Sequence, residues 1–229
     1  MTRIAVPKTG LWRGAVIFSA VAGICSGSAV AAQPTLKGFA SEGDSISVTW
    51  GGNYTGIYAN SRPKVHHCAL ASGGGIDAIA ARIDKAFACN PAVLTILVGA
   101  HGLAERAGTQ YFLRKLFAYT DALRSRGTKV AVATILPEYH PQNPRYEITF
   151  NRRRADANAA IRAAVGNHID AVIDFAADPA MGPDSAARDV RLYRDGVHPT
   201  DGCGLGCGGQ GRLAAIYTPV VDNLLGISR

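Results

Sequence analysis

Gly43-Asp44-Ser45 and Asp195-Gly196-Val197-His198 are the two stretches whose side chains could together make a nucleophile. A serine hydroxyl is inert alone. It needs a base within hydrogen-bond reach and a group that orients the base. Imidazole titrates near neutrality, so His198 suits the base. Asp195 lies three residues earlier, and in a tight turn positions i and i+3 share a face. Its carboxylate can accept from one ring nitrogen while the other nitrogen faces Ser45. The chemistry implied is acyl transfer. It also needs donors for the oxyanion, and losing one typically costs about 3–4 kcal/mol of transition-state stabilisation. The candidates are the backbone N–H of Ser45, the backbone N–H of Gly73 and the side chain of His101.

These residues need a scaffold that brings them together. Leu36 to Ala40 is a short apolar run that can serve as a first strand ending at Gly43-Asp44-Ser45. Gly43 permits a sharp turn there, and the Asp44 side chain can bond N–H groups inside it. A helix starting just after Ser45 would point further donors at charge forming beside the hydroxyl. Val65 to Ala71 reads as a second strand, ending in Ser72-Gly73-Gly74-Gly75. Ile76 to Ala88 has helical apolar spacing. Ala92 to Val98 is a continuous apolar run, as in a strand buried on both faces. Leu103 to Arg126 reads as a helix, Lys129 to Leu136 as a strand, Glu138 to Arg145 as a loop and Glu147 to Val165 as a helix. Ala171 to Phe175 is a fifth strand, 176–194 mostly loop, and Gly211 to Leu225 a closing helix.

Strands alternating with helices predict an α/β domain with a parallel sheet, and ligands of such sheets bind beyond the carboxyl ends of the strands. The turns at 43–45, 72–75, 99–102 and 195–198 all fall at that edge. The alternation therefore puts Ser45 and His198 on one rim.

The 229 residues, 48% hydrophobic, fit one domain with an ordinary core. The net charge of +7 is partly local. Arg3, Lys8 and Arg13 head a segment without acids. Beyond residue 32, 21 basic residues face 17 acidic ones, a net of +4. No basic stripe with interleaved aromatics appears, which argues against nucleic-acid binding. Residues 1–32 read as a cleaved secretory signal peptide, with a positive start, an apolar Ala15 to Ala22 and small-residue cleavage patterns at 29–32. Its apolar run is short for a membrane span. Residues 33–229 would then be the exported domain, periplasmic or secreted, with no stable span after cleavage.

Cleavage would remove Cys25 and leave Cys68, Cys89, Cys203 and Cys207. An even count in an exported chain permits two disulfides. Cys203 and Cys207 could close a small Gly-rich loop, and Cys68 and Cys89 could staple one helix to its strands. The cysteines and His66, His67 lack zinc-site spacing, and the expected chemistry requires neither metal nor cofactor.

The ordered set of motifs resembles the SGNH, or GDSL-type, hydrolase family. Gly43-Asp44-Ser45 matches its first block, Gly73 in Ala71-Ser72-Gly73 its second, and Asp195-Gly196-Val197-His198 its last. The resemblance implies a flavodoxin-like three-layer α/β/α fold, a five-stranded parallel sheet of order 2-1-3-4-5, and hydrolysis of esters or acetylated sugars. It implies Ser45, Asp195 and His198 as the catalytic set. The family's third block is Gly-x-Asn-Asp, and here it reads Gly99-Ala100-His101-Gly102, so His101 stands where an oxyanion asparagine would. Two readings follow: a working serine esterase acting on a small-molecule or glycan ester with altered oxyanion geometry, or a weakened or inactive relative that binds carbohydrate or a protein partner. The Gly-x-Ser-x-Gly elbow of α/β-hydrolases is absent.

Other residues read as structural. His66, His67, His140 and His168 are expected to support the fold, and the Arg152 to Arg154 run to lie mostly on a solvated helix face. Trp50, Tyr54 and Tyr58 are expected as packing, with a pocket-lining role as the alternative. Asn53-Tyr54-Thr55 fits a glycosylation sequon.

Overall fold

The computed structural model describes residues 37–48, 52–100, 103 and 108–228. The signal-like segment, Trp50 and His101 lie outside them. Strand β1 (Lys37–Gly43) runs between β2 (His67–Ala69) and β3 (Pro91–Leu97). Strands β4 (Lys129–Ala133) and β5 (Ala171–Ile173) extend the sheet beyond β3. All pairings are parallel and the order is 2-1-3-4-5, as the alternation and the resemblance led us to expect. Phe39 pairs with His67 on one side and Val93 on the other, and Thr95 with Ala131.

Alternate strand residues feed two apolar layers, because successive side chains point to opposite faces. Val93 and Leu97 join Tyr54 and Tyr58 of α1 (Tyr54–Ser61) and Leu213 and Tyr217 of α6 (Gly208–Leu225). Leu94 and Ile96 join Ile79 of α2 (Ile76–Ala80), Ala86 of α3 (Ile83–Cys89), Leu116 of α4 (Gly108–Arg124) and Phe150 of α5 (Pro144–Ala163). Each fully buried Leu, Ile or Phe contributes about 1.5–3 kcal/mol relative to exposure. The result is a three-layer α/β/α arrangement.

Local differences from the expected elements have physical causes. Strand β1 continues past Ala40 through Ser41 and Glu42, both 1% exposed. A buried carboxylate needs a partner, and Arg82 supplies one at 2.6 Å. Burial pushes the Glu42 carboxyl up, and Arg82 opposes that rise. The single helix expected from Ile76 to Ala88 is broken into α2 and α3, and the interruption falls at Arg82. No helix follows Ser45 directly: residues 45–47 are a turn and α1 begins at Tyr54. Helix α5 starts at Pro144, inside the expected loop, because Pro suits the first helical position and Asn143 caps it by accepting from the Tyr146 N–H.

Arg154 does not lie on a solvated face. It is 6% exposed, and its guanidinium donates to the carbonyls of Ile135 and Gly182 and pairs with Asp184. Helix α6 begins three residues before the expected Gly211. Its glycine-rich first turn is held by Thr200, whose hydroxyl and carbonyl accept from the N–H groups of Gly209 and Gln210. Two disulfides join Cys68 to Cys89 and Cys203 to Cys207, with Cα separations of 6.2 and 5.4 Å. Among the described residues, no helix is long and apolar enough to cross a membrane.

Candidate active site

Strand β1 delivers the chain to Gly43, and the turn that follows is held from several sides. The Asp44 N–H donates to the carbonyl of Leu97 at the end of β3. Asp44 Oδ1 accepts from the Ile46 N–H, which is the turn bond expected from the sequence. Its Oδ2 accepts from the N–H groups of Gly99 and Ala100, a tie to the third-block segment that the sequence did not announce. Gly43 has φ +155°, and a Cβ there would stand 2.3 Å from the Leu97 carbonyl oxygen. No side chain fits that approach, so the turn requires glycine. Gly73 lies beside Asp44 in an isolated parallel bridge and lines the cavity next to Ser45.

His198 arrives from the other end of the chain on a loop whose shape is set by backbone pairing. Tyr193 and Pro199 form an antiparallel bridge, and the Arg194 N–H donates to the His198 carbonyl at 2.9 Å. Inside this loop, Asp195 Oδ1 accepts from the N–H groups of Val197 and His198, at 3.0 and 2.7 Å. Its Oδ2 stands 2.8 Å from His198 Nδ1. Burial would raise the Asp195 carboxyl, but those N–H donors and the His198 ring hold it below its ordinary value. The next loop over fixes the position. The Tyr139 N–H donates to the Gly196 carbonyl, and a Cβ on Gly196, at φ +84°, would meet the Tyr139 oxygen at 2.5 Å.

The two stretches meet. Ser45 Oγ lies 2.8 Å from His198 Nε2. With the Nδ1 proton directed at Asp195, Nε2 is the acceptor and the serine hydroxyl donates to it. Hydroxyl, imidazole and carboxylate thus form one continuous relay, with the geometry that activates a nucleophile. It opens into a cavity of about 380 Å³ lined by Ser45, Val48, Asn53, Ser72, Gly73, Arg194, Asp195, His198 and Gln210. Of the residues singled out from the sequence, the structure brings Ser45, Gly73, Asp195 and His198 together. His101 is outside the described residues. Among those residues, no group of three or more His, Cys, Asp or Glu side chains could hold a metal.

Two buried amides escaped the sequence reading. Gln210 Nε2 donates to the Ile46 carbonyl, and its Oε1 accepts from the Tyr54 N–H. Through Thr200 its backbone is also bound to the His198 loop. Gln210 therefore joins the nucleophile turn to the base loop. Asn53 caps α1 by accepting from the Gly56 N–H, while its Nδ2 donates to the Ser47 carbonyl. At 2% exposure, the sequon asparagine is folded into the site. Only partners more than 150 residues distant reveal Gln210, and no local pattern carries that signal.

Tyr54 and Tyr58 are core residues, packed edge to face with Tyr217 at 5.1 and 5.3 Å. The remaining histidines serve the fold as expected. His67 stacks on Phe39 and shares a hydrogen bond with Ser41, and His168 pairs with Asp121. His140 pairs with Glu138 at 2.6 Å.

Comparison with known proteins bears on family and fold. The model of the GDSL-like Lipase/Acylhydrolase family matches residues 42–202. A GDSL-like lipase from Bacteroides thetaiotaomicron is similar in fold at 19% identity and TM-score 0.63, over 84% of this chain and 92% of that one. So is a lipolytic protein of the G-D-S-L family from Desulfitobacterium hafniense, at 18% identity and TM-score 0.61, over 80% and 98%. A catalytic mutant of an acetylxylan esterase from Geobacillus stearothermophilus follows at 14% and 0.53, over 84% and 95%. No curated protein matches the chain by sequence. With the family model spanning the nucleophile turn, strands β2 to β5 and the base loop, the chain belongs to the GDSL-like lipase/acylhydrolase family.

Proposed function

We propose that this protein is an exported serine hydrolase that cleaves carboxylic esters, of small-acyl or acetylated-sugar type, through an acyl-serine intermediate. The observation that carries the reading is the 2.8 Å contact between Ser45 Oγ and His198 Nε2, in line with Asp195. Ser45 attacks the ester carbonyl and His198 takes its proton. His198 returns that proton to the leaving alcohol, while Asp195 keeps the ring oriented and balances the imidazolium charge. The Ser45 and Gly73 N–H groups, with His101, hold the oxyanion. Water then enters, His198 activates it, and the acyl group leaves as an acid.

Export is supported by the signal-like 1–32 segment and by two disulfides, which persist in oxidising compartments. The acetylated-sugar option is supported by the fold shared with an acetylxylan esterase. The second reading, an inactive relative that binds glycan or a protein partner, is favoured by one observation: His101 stands in place of the third-block asparagine.

Hydrolysis of p-nitrophenyl acetate separates the two. Ser45→Ala should reduce kcat by on the order of 10³-fold or more, leaving only binding and oxyanion contributions. Equal rates for parent and variant would remove the enzyme reading.

A further inference from the structure

Three arginines follow one another on the segment that leads into the base loop, and they are not equivalent. Arg188 pairs with Glu147 at 3.0 Å and lies over the Tyr139 ring. Arg191 is held by both oxygens of Asp189, at 2.9 and 2.7 Å. Arg194 reaches a carboxylate only at 3.9 Å, that of Asp201, and both side chains are about half exposed or more, at 47% and 64%. An ion pair so long and so open to water contributes little. Arg194 is also the arginine of the three that lines the cavity beside Ser45.

Among the described lining residues the one carboxylate is Asp195, and both of its oxygens are engaged by Val197 and His198. Asn53 and Gln210 spend their amides on the backbone of the nucleophile turn and of α1. The backbone of Arg194 is fixed by its bond to the His198 carbonyl, so its side chain leaves a held point of the base loop and contributes to the cavity lining. A guanidinium presents a planar fork of donors that matches a carboxylate in a bidentate way.

We propose that Arg194 is a specificity residue, and that the preferred substrates are esters carrying a carboxylate near the scissile bond, such as an acylated uronate. The proposal rests on the ester-hydrolase reading of Ser45 and His198 and names the substrate class for that site. It is tested with 4-acetoxybenzoate and its neutral methyl ester. Binding of each is followed by NMR titration to the Ser45→Ala protein, with Arg194 intact and with Arg194→Gln. Hydrolysis of each is followed with Ser45 present.

With Arg194 the carboxylate should bind roughly two- to fivefold tighter than the methyl ester, as expected for a partly exposed ion pair. Arg194→Gln should abolish that preference, and Arg194→Lys should keep part of it. Equal preference with and without Arg194, or no measurable binding of the carboxylate, would overturn the proposal. If the Ser45 protein hydrolyses neither ester, the hydrolase reading fails, and the binding ratio still decides the role of Arg194.

Discussion

Two histidine–carboxylate pairs stand on adjacent loops at the ligand edge of the sheet, joined by the bond from Tyr139 N–H to the Gly196 carbonyl. In the first, Asp195 is half exposed, accepts two backbone N–H bonds and sits low in pKa. In the second, Glu138 is 3% exposed. Burial, and then the charge of nearby Asp44, push Glu138 up to about 8. Both carboxylates face an imidazole at short range, at 2.8 and 2.6 Å. Only His198 presents its second nitrogen to a serine hydroxyl. A histidine beside a carboxylate is therefore not in itself catalytic machinery. The role follows from what the far side of the ring meets, and from whether the carboxylate stays charged.

That contrast can be broken most sharply at Asp195. Asp195→Asn would put an amide where the ring must donate, favouring the wrong tautomer, and should lower kcat by on the order of 10³–10⁴-fold. His140→Phe should leave the rate close to that of the parent. Steady-state kinetics on p-nitrophenyl acetate reads both, and equal losses for the two would erase the distinction.

A smaller effect is expected at Gln210, which ties the first pair to the nucleophile. Gln210→Met orphans the Ile46 carbonyl and the Tyr54 N–H, at a cost of about 1–3 kcal/mol for each unsatisfied buried group. Beyond the fall in Tm, kcat per folded molecule should drop about tenfold, as expected when a supporting contact misplaces reacting groups, with KM little changed. A lower Tm with kcat intact would reduce Gln210 to a fold residue.

The last prediction concerns the second pair and reads stability rather than rate. The folded Glu138 carboxyl titrates at about 8, above its ordinary 4.5. The folded state therefore binds this proton more tightly than the unfolded chain does. Its contribution to stability is fully present below pH 4.5 and is lost as pH rises through 8. Urea unfolding at pH 5, 6.5 and 8 should show that loss in the parent, and Glu138→Gln should flatten it. Parallel curves for the two proteins would contradict the assignment.

The first pair was legible in the sequence because a few residue types at fixed short spacing carry its geometry. Asp195 to His198 needs only three residues to define a turn. The parallel sheet and the placing of Ser45 and His198 on one rim followed from strands alternating with helices, whereas the strand order came from the family resemblance. Glu42, Arg154 and Gln210 were not legible, for one physical reason. Each is a buried polar side chain whose partner lies far away in sequence, at Arg82, at Gly182 or at Ile46. Composition marks such residues as surface, and only the tertiary partner accounts for their burial. The start of α5 was hidden differently. Pro144 reads as a loop former until Asn143 is seen to cap the helix behind it.

Asn53 carries a practical consequence for making this protein. Its amide nitrogen is the atom that an oligosaccharyltransferase would modify, and in the folded chain that nitrogen is committed to the Ser47 carbonyl, two residues beyond the nucleophile. A sugar tree attached there during translocation would oppose the burial of this side chain, which is 2% exposed in the fold. Yeast or insect secretion therefore calls for tunicamycin or a Thr55→Ala exchange, whereas a bacterial host without this N-linked pathway leaves the asparagine intact.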